Sequence, residues 1–237
     1  MMSRARREEQ HASIREEIKG AARRLMEQEG TAGISIRGIG RAMDLTAPAL
    51  YHYYANRDAL ITDLIVDAFN ALAEELERTR DDARGLAVQA QLMQVLLAYR
   101  EWARKYPIDF QLIYGNPIPG YQAPEEITVP PANRGFLLIA GLISRCLESG
   151  SASPRPEYAA VPPKIEPVMD EMARQFSGPE QRFLPLALYL TTVGWPRIHG
   201  IIMLELFNHI QPVVGDVDLF YRIQLEDMAR SMGLAMK

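Results

Sequence analysis

"ISIRGIGRAMDLTAPALYHYYANRDAL", residues 34–60, is the stretch on which the fold turns. Ser35 stands where a side-chain oxygen caps a short helix, with Ile36, Ile39 and Met43 on one face. Asp44 and Leu45 then make a turn, and Asp is among the few residues that adopt left-handed backbone at modest cost. Thr46 caps a second short helix; Pro48 is tolerated in its first turn, where its missing N–H has no partner anyway. Asn56 caps a longer helix in which Leu60, Leu64, Ala68, Leu72 and Leu76 recur every four residues. Between the caps, Tyr51, His52, Tyr53 and Tyr54 cannot all point inward, because successive helical residues turn by roughly 100°. Leu50 and Tyr54 share a face and are expected in the core, which sends His52 and Tyr53 outward with Thr46, Ala47 and Ala49.

Working outward, Ser13 followed by Glu16 reads as the capping box of a helix upstream, carried by Ile14, Ile18, Ala21, Ala22, Leu25 and Met26 and ended by Gly30 and Gly33. Two short helices across a tight turn, supported by a longer one in front, form a helix-turn-helix, whose second helix enters the major groove of DNA. The outward aromatic end then supplies hydroxyl and imidazole groups to phosphates and base edges. Gly38 and Gly40 weaken the first short helix by roughly 1 kcal/mol each on propensity grounds.

The charge distribution agrees. The net charge is −4, yet residues 1–57 carry ten Arg and Lys against seven Asp and Glu, so a basic head precedes an acidic body. One cysteine, Cys146, leaves no intramolecular disulfide and no multi-cysteine zinc site, which fits a reducing cytoplasm. The opening "MMSRARREEQ" has no apolar run of the kind that a secretory signal needs, and "FLLIAGLIS" and "FLPLALYLTTVGW" are too short or too interrupted to span a membrane. A soluble, cytoplasmic protein is expected.

The rest of the chain reads as helices over 86–106, 108–114, 134–148 and 165–176, with loops at 115–131 and 149–154. Residues 178–210 read as one helix kinked at Pro196 or as two, and a last amphipathic helix follows "QPVVGD". Neither period-2 alternation nor an internal repeat appears, so the class is all-α. Two domains are expected, a DNA-binding domain over 1–57 and a larger helical domain over 58–237.

Residues 14–60 resemble the DNA-binding domain of the TetR family of transcriptional regulators, through the run quoted above, its aromatic "LYHYY" and the helix before it. Asp44 stands at a turn position often occupied by glycine in that family. "WPRIHG", Trp195 to Gly200, is similar to the Trp-x-x-x-His-Gly signature of the family's WHG-type C-terminal domain. The resemblance implies a homodimer, a ligand-binding core in the C-terminal helices and an operator of double-stranded DNA. It also implies DNA-facing roles for Ser35, Arg37, Thr46, Ala47, Pro48, Ala49, Tyr51, His52, Tyr53 and Arg57, with Arg37 toward a base or its phosphate and Tyr51 and Arg57 toward the backbone. The recognition helix carries no Arg, Asn or Gln, so discrimination is expected to lean on Arg37, on DNA shape and on half-site geometry.

No Gly-rich phosphate loop, nucleophile elbow or carboxylate pair beside a nucleophile is present, so catalytic residues, cofactors and metals are not expected. His199 reads as a buried histidine with one hydrogen-bond partner, and Cys146 as a small apolar core residue. Residues 183–204 and 136–147 each carry a single charge, Arg197 and Arg145, so a cavity between them would be apolar. Trp195 and His199 share a face and either pack the core or line a pocket; on the second reading Trp195, His199 and Met203, spaced by four, form one wall for an apolar effector, joined by Trp102, Phe110 and Tyr114. A repressor released by that effector is the favoured reading. An activator, a ligand-independent regulator, and an enzyme or sequestering protein using the cavity remain as alternatives.

Overall fold

The computed structural model describes residues 4–179 and 182–234. These residues form α1 (Arg4–Glu29), α2 (Ile36–Met43), α3 (Ala47–Tyr51), α4 (Arg57–Asp82), α5 (Val88–Lys105) and α6 (Pro107–Tyr114). They continue as α7 (Glu125–Glu148), α8 (Glu166–Phe176), α9 (Pro185–Leu206), α10 (Gln211–Val214) and α11 (Val217–Ser231). Short 3-10 turns lie at Thr31–Gly33 and Pro156–Tyr158, and no strand occurs among the described residues. The fold is all-α, as the absence of period-2 patterning requires.

Packing gathers the chain into two units, Met1–Ala71 with Tyr106–Ala132, and Leu72–Lys105 with Asn133–Lys237. The sequence boundary after residue 57 coincides with the first turn of α4, whereas the packing division lies one-half of the way along that helix and returns α6 to the first unit.

In the first unit, Ile18, Ala22 and Met26 of α1 pack with Ile36 and Ile39 of α2, Leu50 and Tyr54, and Leu60, Ile61 and Leu64 of α4. Ser13 does not cap α1, which begins at Arg4. The residues ahead of Ser13 are almost all strong helix formers, so the helix propagates past a motif that would otherwise start it. The glycines of α2 are required by close approach. A Cβ at Gly40 would lie 2.7 Å from the Leu45 carbonyl oxygen, and one at Gly38 would lie 2.9 Å from the Ser35 hydroxyl. What propensity loses at these positions, the tight turn and its cap recover.

In the second unit, α8 packs on α9 through Met169, Ala173, Phe183 and Leu188, with Ala140 of α7 beneath them. The Ser144 hydroxyl accepts from the Leu184 N–H at 3.1 Å, tying α7 to the start of α9. On α11, Val217, Tyr221, Leu225, Met228 and Ala229 are buried, and the Tyr221 hydroxyl donates to the Leu96 carbonyl of α5 at 3.0 Å. Leu219 and Ile223 point the other way and are exposed.

One expectation for these helices is corrected, and an alternative left open for α9 is decided. Residues 125–131 are helical rather than loop, because α7 starts at Glu125 and holds Pro130 and Pro131 inside it. The Pro124 carbonyl receives the N–H groups of Ile127 and Thr128, which starts the helix one turn before the prolines. Those prolines remove two ladder donors, and the apolar run beyond them carries the helix through. At 24 residues α7 is long and apolar enough to cross a membrane by composition, which the shorter run at its centre did not suggest, although Leu142, Ile143 and Cys146 are buried in protein. Residues 185–206 form one helix with Pro196 inside it; Glu180 and Gln181 of the expected span lie outside the described residues.

Candidate nucleic-acid interface

Each helix at the candidate interface starts on a side-chain oxygen. The Ser35 hydroxyl accepts from the Gly38 N–H at 3.1 Å, Thr46 from Ala49 at 3.4 Å, and Asn56 from Ala59 at 2.8 Å. The Asp44 N–H still reaches the Gly40 carbonyl, and its left-handed conformation at φ 54° turns the Leu45 N–H back onto the same carbonyl at 2.8 Å. These bonds fold 22 residues, from Ser35 to Asn56, into two short helices set across a fixed turn.

Alternation along α3 then divides the side chains. Leu50 and Tyr54 are buried, whereas Ser35, Arg37, Thr46, Pro48, Tyr51 and His52 are exposed and Ala47, Ala49 and Tyr53 are half-buried. Helix α3 is only five residues long; His52 is its C-cap and Tyr53 lies just beyond. Tyr53 rests on α1, its ring 4.7 Å from that of His11, which is also 5.9 Å from His52. His11 joins the cluster because α1 extends upstream of Ser13, and a reading that started α1 at Ser13 had no place for it.

Arg57 is engaged within the protein. Its Nε donates to the Ile34 carbonyl at 2.9 Å and a terminal nitrogen to the Pro119 carbonyl at 3.4 Å. Behind the recognition helix, the Tyr54 hydroxyl donates to Asp63 at 2.7 Å. Burial first, then this bond, raises the phenol above its ordinary value. Burial also works to raise the Asp63 carboxyl, but hydrogen bonds from Tyr54 and Arg15, with the charge of Lys19, outweigh it and hold Asp63 below the usual range. Lys19, itself buried, pairs with Asp67 and Glu16, and Arg23 reaches Asp109 of α6 at 2.8 Å.

In the second unit, His199 receives hydrogen bonds from two groups rather than the expected one, Trp195 of its own helix and Tyr99 of α5. An indole N–H only donates, so Nε2 is the acceptor and the ring proton is assigned to Nδ1. Burial pushes His199 down to about 3, so it is a neutral ring. Phe136 closes on Trp195 at 5.5 Å between ring centroids, and half-buried Met203 continues the stripe one turn along α9. Trp102 is buried in this same unit. Phe110 and Tyr114 belong to the first unit, their rings 5.3 Å apart, with Phe69 5.7 Å from Tyr114.

A charged cluster that local spacing does not announce lies in the second unit. Buried Arg100 makes two bonds to buried Glu205, at 2.6 and 2.7 Å, and one to Asp218 at 2.6 Å, above the Tyr221 ring. Its only local trace is the Arg100–Glu101 pair inside "LLAYREW" and the single Glu205 inside "IIMLELF". Burial pushes the Cys146 thiol up to about 11, which makes it a poor nucleophile. Among the described residues no group of three or more His, Cys, Asp and Glu side chains is placed to hold a metal ion.

A capped helix-turn-helix backed by a helical body defines a DNA-binding regulator of the helix-turn-helix class. The model described as "Bacterial regulatory proteins, tetR family" matches residues 18–64, and "Tetracyclin repressor-like, C-terminal domain" matches residues 92–228. The chain belongs to the tetR family, whose members are transcriptional regulators and not enzymes. The C-terminal match is to the repressor-like domain at large and does not specify the WHG type. The HTH-type transcriptional regulator Rv1816 of Mycobacterium tuberculosis is 29% identical over 203 residues, which cover 86% of this chain and 85% of that one. The regulator Mb1846 of Mycobacterium bovis aligns with the same values. Among solved structures, the regulatory protein SCO4313 is 28% identical with a TM-score of 0.72, covering 93% of this chain and 97% of that one. A tetR-family regulatory protein from Rhodococcus RHA1 shares the fold at 14% identity and a TM-score of 0.63, over 94% and 98% of the two chains.

Proposed function

We propose that the chain is a homodimeric repressor that reads a palindromic operator through α3 and leaves it when a small apolar effector binds. The observation that carries the DNA-reading part is the split along α3, with Leu50 and Tyr54 buried while Thr46, Pro48, Tyr51 and His52 are exposed. Residues 1–57 act in this reading as the DNA-binding part and 58–237 as the dimerisation and effector part. Arg37, exposed in the first turn of α2, reaches a base edge or phosphate; Ser35, Thr46, Ala47, Pro48, Ala49, Tyr51, His52 and Tyr53 line the same surface. Arg57 enters that surface with two of its three guanidinium nitrogens already donated, so its phosphate contact is the weaker of the two arginine contacts.

Dimerisation is supported by the exposed apolar side chains Leu204, Phe207, Leu219 and Ile223 on α9, its C-cap and α11. A cytoplasmic location follows from the same reading, since the operator is there. The effector reading rests on Trp195, His199 and Met203 along α9, with Trp102 of the same unit supplying further aromatic surface. A neutral histidine among aromatics suits a neutral, largely apolar molecule. Full release requires a differential affinity of roughly 5.5 kcal/mol between two dimer states.

The test is selection of duplexes from a random DNA pool, followed by light scattering of the protein with and without the selected duplex. A dimer on a palindrome supports the reading, and a pool that never enriches overturns it. Thermal-shift hits from apolar metabolites, repeated on Met203→Glu, test the effector wall; a folded dimeric variant that kept every hit at unchanged affinity would remove Met203 from it.

A further inference from the structure

Helix α3 has five residues and cannot hold its own direction, since isolated helices below about 12–15 residues are marginal in water. Its start is fixed by Thr46 and the turn at Asp44. Its exit is fixed by a side chain that comes from α1. One terminal nitrogen of Arg15 donates to the Tyr53 carbonyl at 3.0 Å and the other to the Asp63 carboxylate at 2.8 Å. The same guanidinium lies 4.3 Å from the centroid of the Tyr54 ring, and Asp63 in turn accepts from the Tyr54 hydroxyl. The Tyr53 carbonyl lies just past the last turn of α3, where carbonyls lack helical partners and a cation is favoured. A planar fork meets a carbonyl, a carboxylate and a ring face together, which a lysine does not.

We propose that Arg15 is a positioning residue for DNA reading, clamping the C-terminal exit of α3 to α4 so that the base-facing side chains hold one pose. This rests on the reading of residues 46–53 as DNA-facing. Base-edge hydrogen bonds require the reading side chains to be held within about 0.5 Å, whereas attraction to phosphates depends mainly on the number of cations. Loss of the clamp therefore weakens binding to the selected sequence and leaves binding to arbitrary DNA nearly intact. A residue that touched phosphate, or one needed only for folding, would behave differently.

The experiment uses the full chain, a duplex selected by the wild type and a scrambled duplex of equal length, with fluorescence anisotropy across a salt series and thermal unfolding by circular dichroism. Arg15→Met keeps the stem over Tyr54 and removes the fork. Its affinity for the selected duplex is expected to fall about ten- to a hundred-fold, with scrambled DNA within about two-fold and the salt slope unchanged. Arg15→Lys, which keeps the charge and one bond at most, recovers part of the loss. Asp63→Asn gives a similar selective loss, and the double variant is no worse than Arg15→Met, because the two act through one contact.

A salt slope that dropped by about 0.9 per site would make Arg15 a phosphate contact and overturn the proposal. So would equal loss on both duplexes, or no loss on either. If Arg15→Met lost its helical signal, Arg15→Lys and Asp63→Asn would carry the same comparison. Failure of the wild type to select any duplex would instead overturn the DNA-reading function, and leaves a distinct signature because no variant is involved.

Discussion

His52 and His199 carry the same side chain into opposite surroundings. His52 is exposed at the end of α3, in edge contact with Tyr53 and His11. His199 is hemmed between Tyr99 and Trp195, both of which donate to it, and is held neutral by burial. The contrast extends to the regions around them. In the helix-turn-helix, polar side chains serve nearby backbone, as Ser35, Thr46 and Asn56 each cap an N–H three residues on. In the helical body, polar side chains serve each other across the chain, as Arg100 meets Glu205 105 positions away. The first kind of bond shapes a surface and leaves its functional groups available to a partner. The second kind closes in on itself and fixes the core.

The two kinds should differ in what their loss does to stability, and that difference can be broken by experiment. The largest effect belongs to Glu205→Ala, which removes the buried partner of Arg100 and leaves that buried guanidinium only the exposed carboxylates of Asp218 and Glu101. A loss of about 3–5 kcal/mol is expected in urea unfolding, and a loss no larger than that of a surface pair would show that water reaches the cluster. Gly40→Ala comes next. Its Cβ would meet the Leu45 carbonyl at 2.7 Å, so stability should fall by about 1–3 kcal/mol, with a loss of sequence-selective DNA binding as the turn shifts.

The third effect depends on pH. The folded state resists protonating His199 until about pH 3, whereas the unfolded chain accepts that proton near 6.5. Stability from this residue is complete above pH 6.5 and is lost as pH falls toward 3. His199→Phe should therefore flatten the pH dependence between 6.5 and 5.5 by up to about 1.4 kcal/mol per unit, measured as wild type minus variant. The smallest effect is at the caps. Ser35→Ala should remove about 1 kcal/mol, and Thr46→Ala less, since its bond of 3.4 Å is longer than the 3.1 Å of Ser35. If Thr46→Ala proved the more damaging, α3 would depend on its cap more than on Arg15 and the turn.

The same distinction explains what the sequence made legible. Caps, turn residues and the four-residue repeat of Leu60, Leu64, Ala68 and Leu72 are short-range, so the helix-turn-helix and its exposed aromatic end follow from spacing alone. Ser13 misled because a capping motif is only one contribution, and the helix formers before it make α1 continue. The prolines of α7 misled because their penalty was weighed without the apolar run that follows. Tyr99 and Arg100 give no local sign of the partners they meet on α9. Nothing near Arg15 in sequence points to Tyr53, which is 38 residues on.

Arg57 has one more consequence, for anyone who would exchange the reading head between regulators. Its bond to the Pro119 carbonyl, and that of Thr62 with the Tyr121 hydroxyl at 2.9 Å, tie the segment after α6 to the start of α4. A graft cut after residue 57 would leave Asp63, Pro119 and Tyr121 behind, and the transplanted head would lose the groups that hold α3 and the entry to α2. The piece that packs together with the reading head is discontinuous, residues 1–71 together with 106–132. Portability is set here by where the side chains of the reading head find their partners, and the recognition motif itself ends well short of that.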